Sequence, residues 1–403
     1  MNNTLPAFDP IKSVLALYIT MKANEANKVD ASIPVSAIIE GPPGIGKSHL
    51  IEYLAKEVVG AEKDKGYTVL RGSLLAPHHL LLQFPDGEEP VVYQGKKLKF
   101  FEYHFGPLFK PLFTNPENAF INVEEVTQAP VAVQNILAGI LSDRTVGDSL
   151  RLPKGTPVLG SMNPIGTTTG VHQKSAHLSN RVVHFAWGVD ANTWCDGVEN
   201  GWSSVLSLPS LSEDWVERLL PIWKLRVTHF VRRKQELLIN EPDNEKARAC
   251  AWPSPRSWQY VWTVMAAADA AGLATDLRRH LIAGCIGSSA AIEFITFLEY
   301  QDLVDPVAWV ENTDSGEWIN SSPDKVYAGV NAIISYCSAQ RNKKCFEAGM
   351  RLLKLLIDKE NSGLAASHFN LLFKSLPSGV DPMEGISGKV IEVLAPAVAE
   401  MGL

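Results

Sequence analysis

The segment Gly41-Pro42-Pro43-Gly44-Ile45-Gly46-Lys47-Ser48 follows the pattern Gly-x-x-x-x-Gly-Lys-Ser of a phosphate-binding loop. A backbone that wraps a triphosphate needs glycine where it turns sharply and approaches phosphate oxygens closely. It also needs N–H groups aimed inward at a helix N-terminus, whose dipole favours negative charge. Pro42 and Pro43 have no N–H, so the donors are expected to run from Gly44 to His49. In this chemistry Lys47 reaches the β- and γ-phosphates and the Ser48 hydroxyl ligates Mg2+. The plain alternative is a chance match in a Gly/Pro turn. The flanks argue against it, because residues 35–40 read as a buried strand entering the loop and 49–55 as a helix leaving it.

Binding needs only the loop; hydrolysis needs an acid for the metal and a group that orients water. Phe120-Ile121-Asn122-Val123-Glu124-Glu125 is an apolar run that ends in adjacent carboxylates. Glu124 suits contact with Mg2+ through water, and Glu125 suits polarisation of the attacking water. Without the loop, the pair would read as solvated acids at a strand end. Asn163, in Gly160-Ser161-Met162-Asn163-Pro164, ends another apolar run, where an amide can bridge γ-phosphate and water. Asn-Pro is also an ordinary turn pair. Arg181 precedes a further run and could serve as a finger that stabilises charge at a neighbouring subunit's γ-phosphate. Arg256 lies in Trp252-Pro253-Ser254-Pro255-Arg256-Ser257-Trp258, which opens a helix with Ser254 as its cap, and could reach back to the nucleotide. Taken singly, each arginine reads better as a surface or ion-pair residue.

The elements that must position these groups are legible as alternating patterns. After residues 35–40, strand-like runs fall near 67–71, 119–123, 156–161 and 181–186, with helical stretches such as 131–141 between them. That alternation predicts a five-stranded parallel α/β sheet flanked by helices, with ligands at the carboxyl ends of its strands. Beyond about Val189 strand signals stop, and 211–238, 254–271, 291–300, 325–337 and 344–358 read as amphipathic helices. The expected division is a nucleotide-binding core over 1–205 with an insert at about 74–109, a helical lid over 206–300, and a helical C-terminal region over 301–403.

The chain has 403 residues, 46% hydrophobic and 20% charged, as in a globular protein of two or three domains. A net charge of −7 argues against a duplex-DNA reader. The five cysteines form no Cys-x-x-Cys pair, which fits reduced thiols in a cytoplasmic protein and not a zinc site. No run has the length of a membrane span. Residues 14–19 are apolar but short, and Asp9 and Pro10 stand where a signal peptide wants basic residues, so a packed N-terminal helix is expected.

The order of loop, acidic pair, polar strand end and two arginines resembles that of an AAA+ ATPase, and its details are similar to the MoxR-like branch. Phe105-Gly106-Pro107-Leu108-Phe109 resembles the Gly-Pro-Leu-Phe element before that branch's Walker B strand. Glu124-Glu125-Val126-Thr127-Gln128-Ala129-Pro130 resembles its Asp-Glu-Ile-Asn-Arg-Ala-Pro. Gln134-Asn135-Ile136-Leu137 and Ser142-Asp143-Arg144-Thr145-Val146 resemble its helix and pre-sensor hairpin. Ser161-Met162-Asn163-Pro164 and Pro253-Ser254-Pro255-Arg256 resemble sensor 1 and sensor 2. The match spans roughly residues 35–300, with looser likeness at 287–294 and 323–328 to MoxR-like proteins paired with von Willebrand A-type partners. Two departures stand out: Glu124 replaces the usual aspartate, and Thr127-Gln128 the usual Asn-Arg.

The resemblance implies an Mg2+-dependent ATPase assembled as a homo-hexamer, with ATP sites between subunits. Glu125 and Asn163 would act in cis, Arg181 in trans and Arg256 through the lid. It further implies chaperone-like remodelling of a protein client, a von Willebrand A-domain protein or a metalloenzyme. The insert's run Gln94-Gly95-Lys96-Lys97-Leu98-Lys99-Phe100 is then a candidate partner contact, or else an ordinary solvated hairpin. The rival readings are a nucleic-acid motor or loader, a nucleotide-switched scaffold that barely hydrolyses ATP, and a small-molecule kinase. The last leaves Asn163, Arg181 and Arg256 unexplained.

Overall fold

A computed structural model describes residues 10–29, 33–85, 91–93, 96–98, 101–147, 150–164, 176–202, 206–301, 304–312, 314 and 316–400. The chain divides into two units, Met1–Leu219 with Glu236–Ala291, and Leu220–Gln235 with Ile292–Leu403.

In the first unit the apolar runs become strands. Along the chain these are β1 (Ser36–Glu40), β2 (Glu62–Lys63), β3 (Gly66–Arg71), β4 (Leu81–Pro85), β5 (Val91–Tyr93) and β6 (Lys96–Leu98). They continue as β7 (Phe101–Phe105), β8 (Phe120–Glu124), β9 (Thr145–Val146), β10 (Leu150–Arg151), β11 (Val158–Met162) and β12 (Val183–Ala186). One sheet runs in the order β12-β1-β11-β8-β3-β2, with every neighbouring pair parallel. The expected α/β class holds, with six strands where five were expected. The extra edge strand β2 has two residues, too few to show any periodicity.

Strands β1, β8 and β11 are buried almost throughout, which is why they read as continuous apolar runs. Helix α1 (Pro10–Ala23) packs on β1, β11 and β12, and α2 (Lys47–Tyr53) leaves the glycine-rich loop. Helix α3 (Val131–Asp143) packs on β11. The insert contains the antiparallel pair β4–β7, in register from Leu81↔Phe105 to Pro85↔Phe101, and the pair β5–β6. Of its basic run only 96–98 is described; Gln94, Gly95, Lys99 and Phe100 lie outside the described residues. Further helices follow: α4 (Ala191–Asn200), α5 (Trp215–Arg233), α6 (Pro255–Ala270) and α7 (Thr275–Ile286). Helix α5 begins in the first unit and runs into the second.

A buried arginine ties the sheet's centre together. Arg144 caps α3 and is almost wholly buried. Its guanidinium donates to Ile140 O, Leu141 O, Val35 O and Thr156 O, to Ser36 Oγ and to Asn24 Oδ1, at 2.5–3.2 Å. These acceptors belong to α1's C-terminal turn, the entry to β1, the end of α3 and the approach to β11. The helix C-terminus supplies partial negative charge, so a cation with carbonyl partners is held without a salt bridge.

The second unit is helical: the later part of α5, α8 (Ser288–Gln301, from Ile292), α9 (Pro306–Val310), α10 (Pro323–Gln340), α11 (Lys343–Asp358), α12 (Ser362–Phe373) and α13 (Gly385–Glu400). Helix α11 buries Phe346, Met350, Leu353 and Leu356, one face at helical spacing, and Asn342 caps it by accepting from Cys345 N at 2.9 Å. Two imidazoles, His229 and His368, lie in this core with ring centroids 5.8 Å apart. His368 Nε2 donates to Asn331 Oδ1 at 2.6 Å, and His229 faces Ser335 Oγ at 3.5 Å. All five cysteines are free thiols, and among the described residues no helix is long and apolar enough to cross a membrane.

Two stability predictions follow from these buried cations and bases. Arg144→Met leaves several buried acceptors without a donor, so the full chain should lose at least about 3 kcal/mol in denaturant unfolding. A loss below about 1 kcal/mol would mean that water replaces the guanidinium. Burial, reinforced by His368 and Arg232, pulls the His229 imidazole down to about 3. Its stabilising neutral form is fully present above pH about 6.5, and stability falls as pH drops from there toward about 3. The slope approaches about 1.4 kcal/mol per pH unit for this imidazole. His229→Gln should flatten the pH dependence of unfolding by that share; an unchanged slope would refute the assignment.

Candidate nucleotide site

The site is built on the carboxyl edge of the sheet's first unit. The loop leaves β1, an inner strand with β11 and β12 on either side, and turns twice at positive φ, 82° at Gly44 and 93° at Gly46. A side chain at either position would strain the backbone, so the glycines of the motif are required here. Gly46 is also the N-cap of α2, whose first residue is Lys47. The Lys47 ammonium folds into the loop and donates to Gly41 O and Pro42 O at 2.7 Å each and to Asn163 Oδ1 at 3.0 Å. Burial lowers its pKa. The structure therefore brings Lys47 and Asn163 together, the latter from just beyond the end of β11. Ser48 and His49 are exposed on the first turn of α2.

The acidic pair ends β8. Glu124 is salt-bridged by Arg71 Nε at 2.9 Å, and its other oxygen accepts from Asn122 Nδ2 at 3.3 Å. Asn122 Nδ2 also meets the Tyr67 hydroxyl at 3.2 Å, and burial pushes that phenol up to about 12. Glu125 has φ 52° and ψ 46°, a left-handed conformation that costs a non-glycine residue about 1 kcal/mol or more. Ser73 Oγ donates to Glu125 Oε2. Between Arg71 and Ser73, Gly72 lies so close that a Cβ would stand 2.3 Å from Glu125 O. The backbone end of β3 is thus pressed against the turn that follows β8.

The two arginines lie in one neighbourhood. Arg181 Nη1 donates to Ser142 Oγ at 2.8 Å and pairs with Asp143 at 3.3 Å, with 17% of its side chain exposed. Its carbonyl accepts from the Tyr260 hydroxyl at 3.0 Å. Arg256 is half-buried on the first turn of α6, where its charge opposes the burial that raises Tyr260. Ser254 caps α6 as expected, accepting from Ser257 N at 3.1 Å, and its hydroxyl donates to Asn180 Oδ1 at 2.7 Å. The segment before β12 and the start of α6 are thereby tied together.

Beside the loop is a cavity of about 640 Å3, lined by Gly46, His49, Tyr53, Trp187, Trp194 and Trp202 among others. Its walls are apolar and aromatic, suited to a planar ring. The residues expected to hold a cation, Ser48 and Glu124, offer a hydroxyl and a carboxylate, hard oxygen donors whose chemistry would fit Mg2+ held jointly with phosphate. Among the described residues no group of three or more His, Cys, Asp or Glu could hold a metal unaided.

Sequence reasoning missed Arg71, Gly72, Ser73 and the cavity's tryptophans. The signal for the first three was positional: residues at the carboxyl end of a strand adjacent to β8 in a parallel sheet face its terminal acids, as the register Arg71↔Glu124 shows.

No protein-family model matches the chain, and no curated protein does. Among solved structures it is similar to a provisionally assigned ATPase of Cytophaga hutchinsonii, at 16% identity over 68% of this chain and 81% of that one, with a TM-score of 0.40. It is also similar to a full-length MCM homologue of Methanopyrus kandleri, at 10% identity over 67% of this chain and 55% of that one, with a TM-score of 0.34. At these TM-scores neither likeness bears on what the site does.

Proposed function

We propose that this chain is an ATP-binding and ATP-hydrolysing AAA+ protein, MoxR-like in its motifs. The observation that supports this most is the placement of Lys47 inside its own glycine-rich loop, 3.0 Å from Asn163. A triphosphate entering the loop would take the ammonium from Gly41 O and Pro42 O, with amides from Gly44 to His49 donating to its oxygens. The base would occupy the aromatic-lined cavity beside the loop. Ser48 and Glu124 would hold Mg2+, which when bound neutralises charge on the phosphates.

Glu125 would accept the proton of the attacking water while Asn163 orients that water toward the γ-phosphorus. The bond to the β-phosphate oxygen breaks, leaving ADP and phosphate. Ser73 fixes the Glu125 carboxylate in the meantime. Arg181 would act in a neighbouring subunit's site only after leaving Asp143, so assembly and catalysis would be linked. Arg256 would report the phosphate state to the helices of residues 236–291. In this reading the protein is a hexameric, cytoplasmic remodeller of a protein client, a von Willebrand A-domain protein or a metalloenzyme, with the insert as a partner face. A second reading, a nucleotide-switched scaffold, draws support from the Glu124–Arg71 pair, which commits the metal-site acid to another partner.

Phosphate release and calorimetric ATP binding separate these readings. Lys47→Ala should abolish binding. Glu125→Gln should bind ATP like the wild type and hydrolyse it about 10²–10⁴-fold more slowly. Equal phosphate release by wild type and Glu125→Gln would sink the enzyme reading. Mass photometry with a non-hydrolysable ATP analogue should show hexamers; a strictly monomeric protein would remove Arg181 from the site.

A further inference from the structure

We propose that Arg71 sets the divalent-cation requirement of the nucleotide site by competing with the cation for Glu124. The inference rests on the ATP reading above and adds to it a residue that acts against the metal. Arg71 Nε lies 2.9 Å from Glu124 Oε2, and Asn122 occupies the other oxygen at 3.3 Å, so both carboxylate oxygens already have donors. Each oxygen keeps a second lone pair, so a cation that takes Glu124 as a ligand, directly or through water, meets the Arg71 charge beside it and competes with it for the same carboxylate.

The two partners differ in freedom. The Glu124 side chain is 15% exposed and sits at the end of a buried strand, whereas the Arg71 side chain is 55% exposed. The Arg71 backbone is fixed by its strand register with Glu124 and by the close approach of Gly72 to Glu125 O. Retreat of the strand end is therefore blocked, and release is a swing of the guanidinium alone toward solvent. Asn122 cannot take over the charge, because its amide is neutral and also meets the Tyr67 hydroxyl. Arg71 is thus a positioning residue whose positive charge and hydrogen bond both oppose a cation at Glu124.

A half-exposed ion pair of this kind corresponds to a change of about two- to five-fold in an equilibrium constant. The measurement is the ratio of ADP dissociation constants in EDTA and in excess Mg2+, by calorimetry on the full chain. Arg71→Ala should raise that ratio about two- to five-fold over wild type, and Arg71→Gln, which keeps an N–H donor near the position of Nε without the charge, should move it the same way. A role in folding alone would change both constants together and leave the ratio unmoved. An unchanged or lowered ratio in the folded variants overturns the proposal, and Arg71→Gln decides it if Arg71→Ala fails to fold. Absence of ADP binding to wild type in both buffers would instead overturn the ATP reading itself.

Discussion

The guanidinium of Arg144 is the constraint on which the arrangement of the first unit depends. It reaches segments that are far apart in sequence, from Asn24 to Thr156, which border the adjacent inner strands β1 and β11. Those strands carry the glycine-rich loop and Asn163, so the 3.0 Å approach of Lys47 to Asn163 presupposes their correct relative height. A carboxylate partner would have bound Arg144 to one direction. Neutral carbonyls allow it to be shared among several segments, and they cost little desolvation because they also need donors once buried. Asn24 extends the same device by exchanging two hydrogen bonds with the backbone of Val35, at 2.8 and 3.0 Å, as a neighbouring strand would.

How much of this was legible in the sequence depends on whether function or packing fixed the residues. The loop was legible because its pattern sets particular residue types at fixed spacing, and Gly44 and Gly46 do adopt the conformations that exclude other residues. Parallel strands were legible because burial on both faces makes them apolar runs. The edge strand β2 and helices α7, α12 and α13 were not singled out. A two-residue strand has no period to show. The grip on Glu124 and Glu125 was not legible either. Arg71 and Ser73 meet those acids through sheet register, which places residues from separate stretches of chain side by side. Arg144 was visible only as part of a hairpin, because its partners come from segments that no local pattern connects.

Four charged groups of the proposed site share one feature. Each is already engaged by a partner within the same chain: Lys47 by two loop carbonyls and Asn163, Glu124 by Arg71, Glu125 by Ser73, and Arg181 by Asp143. Binding at such a site exchanges one set of partners for another, so the net gain per contact is much smaller than its gross strength. Under the proposed function, exchange would also impose order: Lys47 would turn to phosphate by a small motion of a flexible side chain, whereas Arg181 would have to leave its half-buried pair with Asp143 before serving another subunit. Adjacent carboxylates add a further reason for this design. Glu124 and Glu125 would repel each other if both lacked partners, and separate donors at the end of β3, Arg71 and Ser73, engage them. Under the proposed function these internal partners would form the resting state that nucleotide binding has to release.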